Sequence, residues 1–215
     1  PMLAQYALLE RLHRRSLQWG LQAGILLLGA YVRLAHLGRP NNFIFDEVYY
    51  VKGAQQFLKY GVEADAGKGI FVVHPPLGKW VIALGIHIFG DTPFGWRIAV
   101  AILGILSIFL VGRIAYWLFR SESAATLATL LYAVDALAFV HSRTSLLDSV
   151  LVFWFILAFY LMVRPTKHVD RNYALVFAVL GLATATKWSG GYFVAAFIGW
   201  MLLRSFREGA TLKLI

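Results

Sequence analysis

From residue 94 to residue 119 the chain reads FGWRIAVAILGILSIFLVGRIAYWLF, an apolar run whose only charges are Arg97 and Arg113. About 20 consecutive apolar residues suffice to cross the hydrocarbon core of a bilayer as a helix. No water reaches the backbone there, so such a run must satisfy its own hydrogen bonds, which a helix does within one segment. Comparable runs lie at 17–37, 123–140, 146–163, 173–187 and 190–203, the last two being the shortest. Six spans are therefore expected, and the fold class is an all-α polytopic membrane protein. Composition agrees: 60% of residues are hydrophobic and only 14% charged, against about 25% charged in soluble domains.

Several function classes fall away at once. The chain has no cysteine, which excludes disulfides and thiolate metal sites and leaves the redox compartment open. A formal charge of +9 would suit nucleic acid if it were concentrated. Here the basic residues are spaced as caps between apolar runs, so no nucleic-acid partner is expected. The first run is too long for a cleavable signal peptide, and no small-residue cleavage site stands out.

The chain divides into a basic cytoplasmic lead-in at 1–18, a transmembrane module at 19–204 and a cytoplasmic tail at 205–215. Within the module, a first outer loop spans 38–93. Two stretches in that loop, 48–60 and 77–89, are apolar on one side and too short to cross, as befits interfacial helices. Orientation follows from the excess of Lys and Arg in cytoplasmic loops. With the N-terminus inside, the inner segments hold Arg11, Arg14, Arg15, Arg113, Arg120, Arg164, Lys167, Arg171, Arg204, Arg207 and Lys213 against few acids. The outer segments are nearly balanced.

That topology places five polar islands on the outer side: FDEVYY at 45–50, VVHPPLGKW at 72–80, GWR at 95–97, VHSRTSLLDS at 140–149 and TATKWSGG at 184–191. Charges near apolar segments are costly and tend to face a protein interior or a wet cavity, so the islands describe one outward-facing polar pocket. Each also has a plainer reading. Asp46 and Glu47 could merely cap a helix, and His74-Pro75-Pro76 could be a rigid turn. Lys79 could snorkel, Arg97 and Arg143 could be interfacial anchors, and Lys187 could end its helix. Together, however, they supply a carboxylate pair and several cations on one face. Phe45, Tyr49 and Tyr50 would partly desolvate the two acids, which strengthens a carboxylate as proton acceptor. Arg and Lys suit a lipid-linked phosphate. The pattern points to group transfer from such a phosphate.

In order along the chain, NFIFDEVYYVKGAQQFL, VVHPPLGKWVIALG, WRIAVAILG, HSRTSLLDSVLVF and ATKWSGGYF resemble the N-terminal half of the protein O-mannosyltransferase family. The lack of long insertions is similar to the bacterial, actinobacterial-type branch. The resemblance implies an integral membrane glycosyltransferase of the GT-C fold. Its reaction would move mannose, with inversion, from polyprenyl or dolichyl phosphate mannose to Ser or Thr hydroxyls of exported proteins. It further implies that Asp46 is the general base and that Glu47 positions the acceptor or tunes Asp46. The lipid phosphate falls to Lys79, Arg97, Arg143 and Lys187, and a loop-shaping or acceptor-side role to His74 and Asp148. No cofactor and no metal are expected, since no further ligand set accompanies Asp46 and Glu47. The expected setting is the plasma membrane with the site on the extracytoplasmic face, or the endoplasmic reticulum membrane in a eukaryote, with possible contact to the translocation machinery. Family members are longer, so the chain is expected to be part of a larger protein.

Two alternatives stay open. One is another GT-C transferase that uses a lipid-phosphate sugar and a lipid or glycan acceptor. The other is a transporter subunit, for which Asp135, an acid within the 123–140 run, is the best support.

Overall fold

Helices occupy every apolar run of the computed structural model, which describes residues 2–65, 68–69 and 72–207. Lys213, one of the inner basic residues, and the rest of the tail beyond 207 lie outside the described residues. The long elements are α1 (Met2–Leu34), α4 (Pro93–Phe119), α5 (Glu122–Val134), α7 (Leu147–Val163), α8 (Val169–Thr186) and α9 (Gly190–Arg207). Between α1 and α4 come α2 (Glu47–Tyr60), the short antiparallel pair β1 (Ala64–Asp65) and β2 (Lys68–Gly69), and α3 (Leu77–Phe89). A short α6 (Ala136–His141) precedes α7. At about 1.5 Å per residue, α4 is about 40 Å long. Among the described helices it is the one that passes as a membrane span by length and composition alone; α3, α5, α7 and α9 are shorter apolar helices.

Local chemistry sets the boundaries. Thr92 Oγ1 accepts from Gly95 N at 3.2 Å and Pro93 takes the first turn, a standard start for α4. Ser121 opens α5 in the same way, accepting from Ala124 N at 3.3 Å. The single span expected at 123–140 is broken. Asp135 leaves the helix at ψ 120° and its Oδ1 accepts from Ala138 N at 2.7 Å, so its side chain caps α6 instead of letting α5 continue. Asp135 is exposed at this break rather than enclosed by neighbouring helices.

Side-chain bonds fix the antiparallel packing. At one end of the bundle, Gln22 of α1 donates to Glu122 Oε2 at 3.2 Å, and Glu122 lies 3.7 Å from Arg113 of α4. At the other end, Arg143 donates to the carbonyls of Val32, Arg33 and His36, capping the end of α1. The outward faces of α1 and α5 expose Leu27, Leu28, Tyr31, Leu130, Leu131 and Val134, which suits lipid rather than water.

α2 and α3 cover the two short stretches at 48–60 and 77–89. α3 buries Gly78, Lys79, Ile82, Ala83, Gly85 and Ile86 along one stripe. Gly85 and Gly95 let α3 and α4 meet backbone to backbone: a Cβ on Gly85 would stand 2.4 Å from the Gly95 carbonyl oxygen. A core of Tyr50, Val51, Ala54, Ile82, Trp96, Val100, Leu147 and Val150 then ties α2, α3, α4 and α7 together. The ends of α1, α5 and α8 and the starts of α3, α4 and α7 thus frame one end of the bundle.

Candidate active site

The two adjacent acids of FDEVYY do different things. Ile44 and Glu47 close a tight turn, Glu47 N donating to Ile44 O at 3.0 Å and Ile44 N to Glu47 Oε2 at 2.9 Å. Between them Phe45 takes φ 51°, a left-handed conformation that is uncommon for a bulky residue. α2 starts at once, and successive helical residues point about 100° apart because a turn holds about 3.6 residues. Glu47 therefore turns inward while Asp46 faces a cavity.

Glu47 is fully buried and so is its partner Arg97. The contact is bidentate, Arg97 Nε to Oε1 and Nη2 to Oε2, both at 2.8 Å. Ser145 N adds a bond to Oε1 at 2.8 Å. The remaining donors of Arg97 reach Leu37 O, Pro40 O and Asn42 O at 3.0–3.2 Å. All five guanidinium N–H groups are engaged. The pair pins the loop after α1, the start of α2, α4 and the turn before α7 to one point. A buried charge tolerates its position only when satisfied in this way.

Asp46 is half-buried at the N-cap of α2 with no capping bond from its own carboxylate. Tyr50, one turn on, donates its hydroxyl to Asp46 Oδ2 at 3.4 Å. Phe45 and Tyr49 do not supply the expected apolar cover: they are 79% and 70% exposed. Tyr50 alone of the three aromatics is buried. Its hydroxyl is pushed up to about 12, first by burial and then by the charges of Asp46 and Asp148.

The cavity beside Asp46 holds about 530 Å³ and is lined by Asp46, Tyr50, Gly53, Gln56, Glu63, His74 and Lys79, among others. Asp46, Gly53 and Gln56 sit at the helical spacing that puts them on one face of α2. Lys79 is nearly buried and donates to Glu63 Oε1 at 2.5 Å. Gly53 makes room for that pair, since a Cβ there would come within 2.6 Å of Glu63 Oε1. Lys187, just past the end of α8, and Asp148, in the first turn of α7, pair at 2.7 Å, more openly. His74 sits among these charges. Burial first, then Lys187 and Lys79, hold its pKa below the usual 6.5, against the pull of Asp148 and Asp46. Trp188 Nε1 donates to Val73 O at 2.9 Å and ties the start of α9 to the same loop.

The structure thus brings together Asp46, His74, Lys79, Asp148 and Lys187. Arg97 and Arg143, grouped with the lipid-phosphate cations by charge and membrane side, are bound to internal partners, Arg97 to Glu47 and loop carbonyls and Arg143 to the end of α1. Glu47 serves Arg97 and Ser145 rather than the cavity. The sequence reading passes over Tyr50, Gln56 and Glu63 as site residues. Helical spacing from Asp46 could have found the first two; Glu63 lies in a loop without period and gives no such signal. Among the described residues no cluster of three His, Asp or Glu side chains forms a metal-binding set.

Known proteins resemble this chain in sequence and in fold. Two models described as dolichyl-phosphate-mannose-protein mannosyltransferase match the chain, one over residues 73–214 and one over 24–96. A polyprenol-phosphate-mannose–protein mannosyltransferase of Mycolicibacterium smegmatis is 39% identical over 211 residues, covering 85% of this chain and 41% of its own length. One from Mycobacterium tuberculosis is 38% identical, covering 91% of the chain and 42% of its own length. The structure of the Saccharomyces cerevisiae protein O-mannosyltransferase Pmt1–Pmt2 complex bound to the sugar donor superimposes with a TM-score of 0.77 at 24% identity, over 92% of this chain and 29% of that one. The all-α GT-C architecture expected from the sequence is the one found. The chain spans about two fifths of the length of the mycobacterial relatives.

Proposed function

Because this chain belongs to the dolichyl-phosphate-mannose-protein mannosyltransferase family, we propose that its parent protein transfers mannose from polyprenyl-phosphate-mannose to Ser or Thr hydroxyls of exported proteins. The observation that carries this reading is the half-buried Asp46 carboxylate, free of capping duty, at a cavity that also holds Lys79.

In this reading Asp46 accepts the proton of the acceptor hydroxyl as its oxygen bonds to the anomeric carbon of mannose. The bond from that carbon to the phosphate oxygen breaks, and its electron pair leaves with the lipid phosphate. The geometry of direct displacement inverts the anomeric centre. A phosphate leaving group needs fixed positive charge more than a proton donor. Lys79 and Lys187 supply it, while Arg97 and Arg143 hold the scaffold. Tyr50 orients the Asp46 carboxylate through its hydroxyl. Glu47 positions Asp46 through the turn at Ile44. His74, near both lysines, shapes the loop and faces the acceptor side with Asp148. The chemistry assigned to these groups needs no metal and no cofactor. The site belongs on the extracytoplasmic face of the plasma membrane, or on the lumenal face of the endoplasmic reticulum in a eukaryote. Acceptors that cross as extended chains would reach it beside the translocation machinery.

The test uses membranes with the full-length parent protein, labelled polyprenyl-phosphate-mannose and a Ser/Thr-rich peptide. Asp46→Asn keeps the shape and removes the base; general bases contribute typically about 10²–10⁴-fold. The expected result is a loss of peptide labelling of that order with normal membrane insertion. Near-normal turnover in Asp46→Asn would overturn the base assignment. Labelling of a lipid or glycan in place of the peptide would replace the acceptor.

A further inference from the structure

The cavity beside Asp46 is lined by Gln56 and His74, whose Oε1 and Nδ1 atoms are closed off from solvent and lack a hydrogen-bond partner among the described residues. Buried polar atoms in folded proteins are nearly always paired, so two orphans beside one cavity call for polar partners, and a ligand hydroxyl in the cavity is one that the Gln56 amide meets by turning toward it. Charge alone does not explain Gln56. Lys79, on the neighbouring wall, donates to Glu63 rather than to it. Its neighbour Gln55 points elsewhere, donating to both oxygens of Asp91 at 2.9 Å. Gln56 lies ten residues after Asp46, close to three helical turns, on the face of α2 that lines the cavity. An amide there is too far along the helix to hydrogen-bond the Asp46 carboxylate that Tyr50 already holds. It is placed for the part of a bound sugar remote from the reacting carbon.

We propose that Gln56 is a sugar-specificity residue: its amide oxygen accepts a hydrogen bond from a hydroxyl of the hexose carried by the lipid phosphate. This rests on the mannosyl-transfer reading of the site and extends it from the reaction to the choice of sugar. The physical consequence is asymmetric. A site built to bond a hydroxyl rejects an analogue that lacks it, because the amide is then left buried and unpaired. Removing the amide should abolish that rejection while leaving Asp46, Lys79 and Lys187 in place.

The experiment compares polyprenyl-phosphate-mannose with a set of its monodeoxy analogues, using the full-length protein in membranes and kcat/KM for peptide labelling. In the wild type, removal of one particular hydroxyl should lower kcat/KM by roughly tenfold to a hundredfold. Gln56→Met keeps the volume and loses the acceptor. In that variant the penalty for the same deoxy sugar should shrink to within about threefold, with mannose itself slowed by a similar factor, and the penalties for the other deoxy positions should stand. Gln56→Glu retains an acceptor oxygen and should restore the penalty, which guards against a merely structural effect. Unchanged deoxy penalties in Gln56→Met, with an active wild type, overturn this inference and leave the mannosyl-transfer reading intact. A wild type inactive with every mannosyl donor overturns that reading and this inference with it.

Discussion

Glu47→Gln is the substitution whose consequence the structure fixes most closely. The Glu47 carboxylate is wholly buried and accepts four hydrogen bonds, two from Arg97 and one each from Ser145 N and Ile44 N. A glutamine amide has one oxygen and one NH2 group. Whichever way it turns, the NH2 faces two donors where an acceptor stood. Two buried hydrogen bonds at about 1–3 kcal/mol each are lost, and Arg97 keeps a buried positive charge with no counter-ion. Removing one member of a buried ion pair costs about 3–5 kcal/mol, and the two routes agree. The expected result is a fall in unfolding free energy of that size, read from denaturant or thermal unfolding of the full-length protein in nanodiscs. Activity should fall with it, because the turn that aims Asp46 is held by the same carboxylate. Arg97→Met should cost a similar amount. The double variant Glu47→Leu/Arg97→Met removes both charges and should cost clearly less than the sum of the single changes; three carbonyl bonds from Arg97 to the 37–42 loop remain lost. Losses below about 1 kcal/mol for either single change, or strict additivity in the double, would refute a coupled buried pair as the clamp of this loop.

Lys187→Met breaks a pair that is partly open to solvent, so its stability cost should stay below about 1 kcal/mol; a phosphate-binding role predicts a many-fold fall in kcat/KM for the lipid donor, and unaltered kinetics would remove Lys187 from the site. Gly53→Ala drives a methyl against Glu63 Oε1 and the Lys79 stem. Overpacking of this kind costs about 1–3 kcal/mol, and donor KM should rise with the displacement of Lys79; an unchanged KM would argue against that wall as donor-binding. His74 has a folded pKa held below 6.5, so the unfolded chain binds its proton more readily and stability should fall as pH drops through about 6.5 and level off below the folded value. In His74→Gln, melting midpoints measured from pH 7.5 to 5 should show a shallower fall, and an identical profile would mean that His74 does not titrate as its surroundings require. Gly85→Ala sets a methyl 2.4 Å from the Gly95 carbonyl oxygen; neither backbone can yield cheaply, and a clear drop in melting midpoint is expected, its absence meaning that α3 and α4 are not so closely locked.

Much of the helical layout is legible from pattern alone. The run at 94–119 is helical throughout, and the two short amphipathic stretches appear as α2 and α3 within a residue of their expected starts. Periodicity carries such information because burial of one helix face repeats every 3.6 residues. It failed at Asp135, where a single side chain competes for the backbone donor of Ala138 and ends a span that hydropathy averages over. A similar limit appears at Phe45 and Tyr49. Their apolar character suggested cover for the acids, yet the turn at φ 51° sends them outward, and hydropathy has no direction.

The sequence by itself determined the helical class, the succession of apolar helices and the gathering of polar islands, since these depend on composition and period along the chain. It also singled out Asp46, which keeps its place at the cavity. Only the tertiary structure decided how the charges divide. Glu47 and Arg97 are 50 residues apart, and Lys79 faces Glu63 while Lys187 faces Asp148. Which opposite charges meet depends on the register of α2, α3, α4, α7 and α8 against one another. That register is set by close contacts such as Gly85 on Gly95, through packing that no local pattern records.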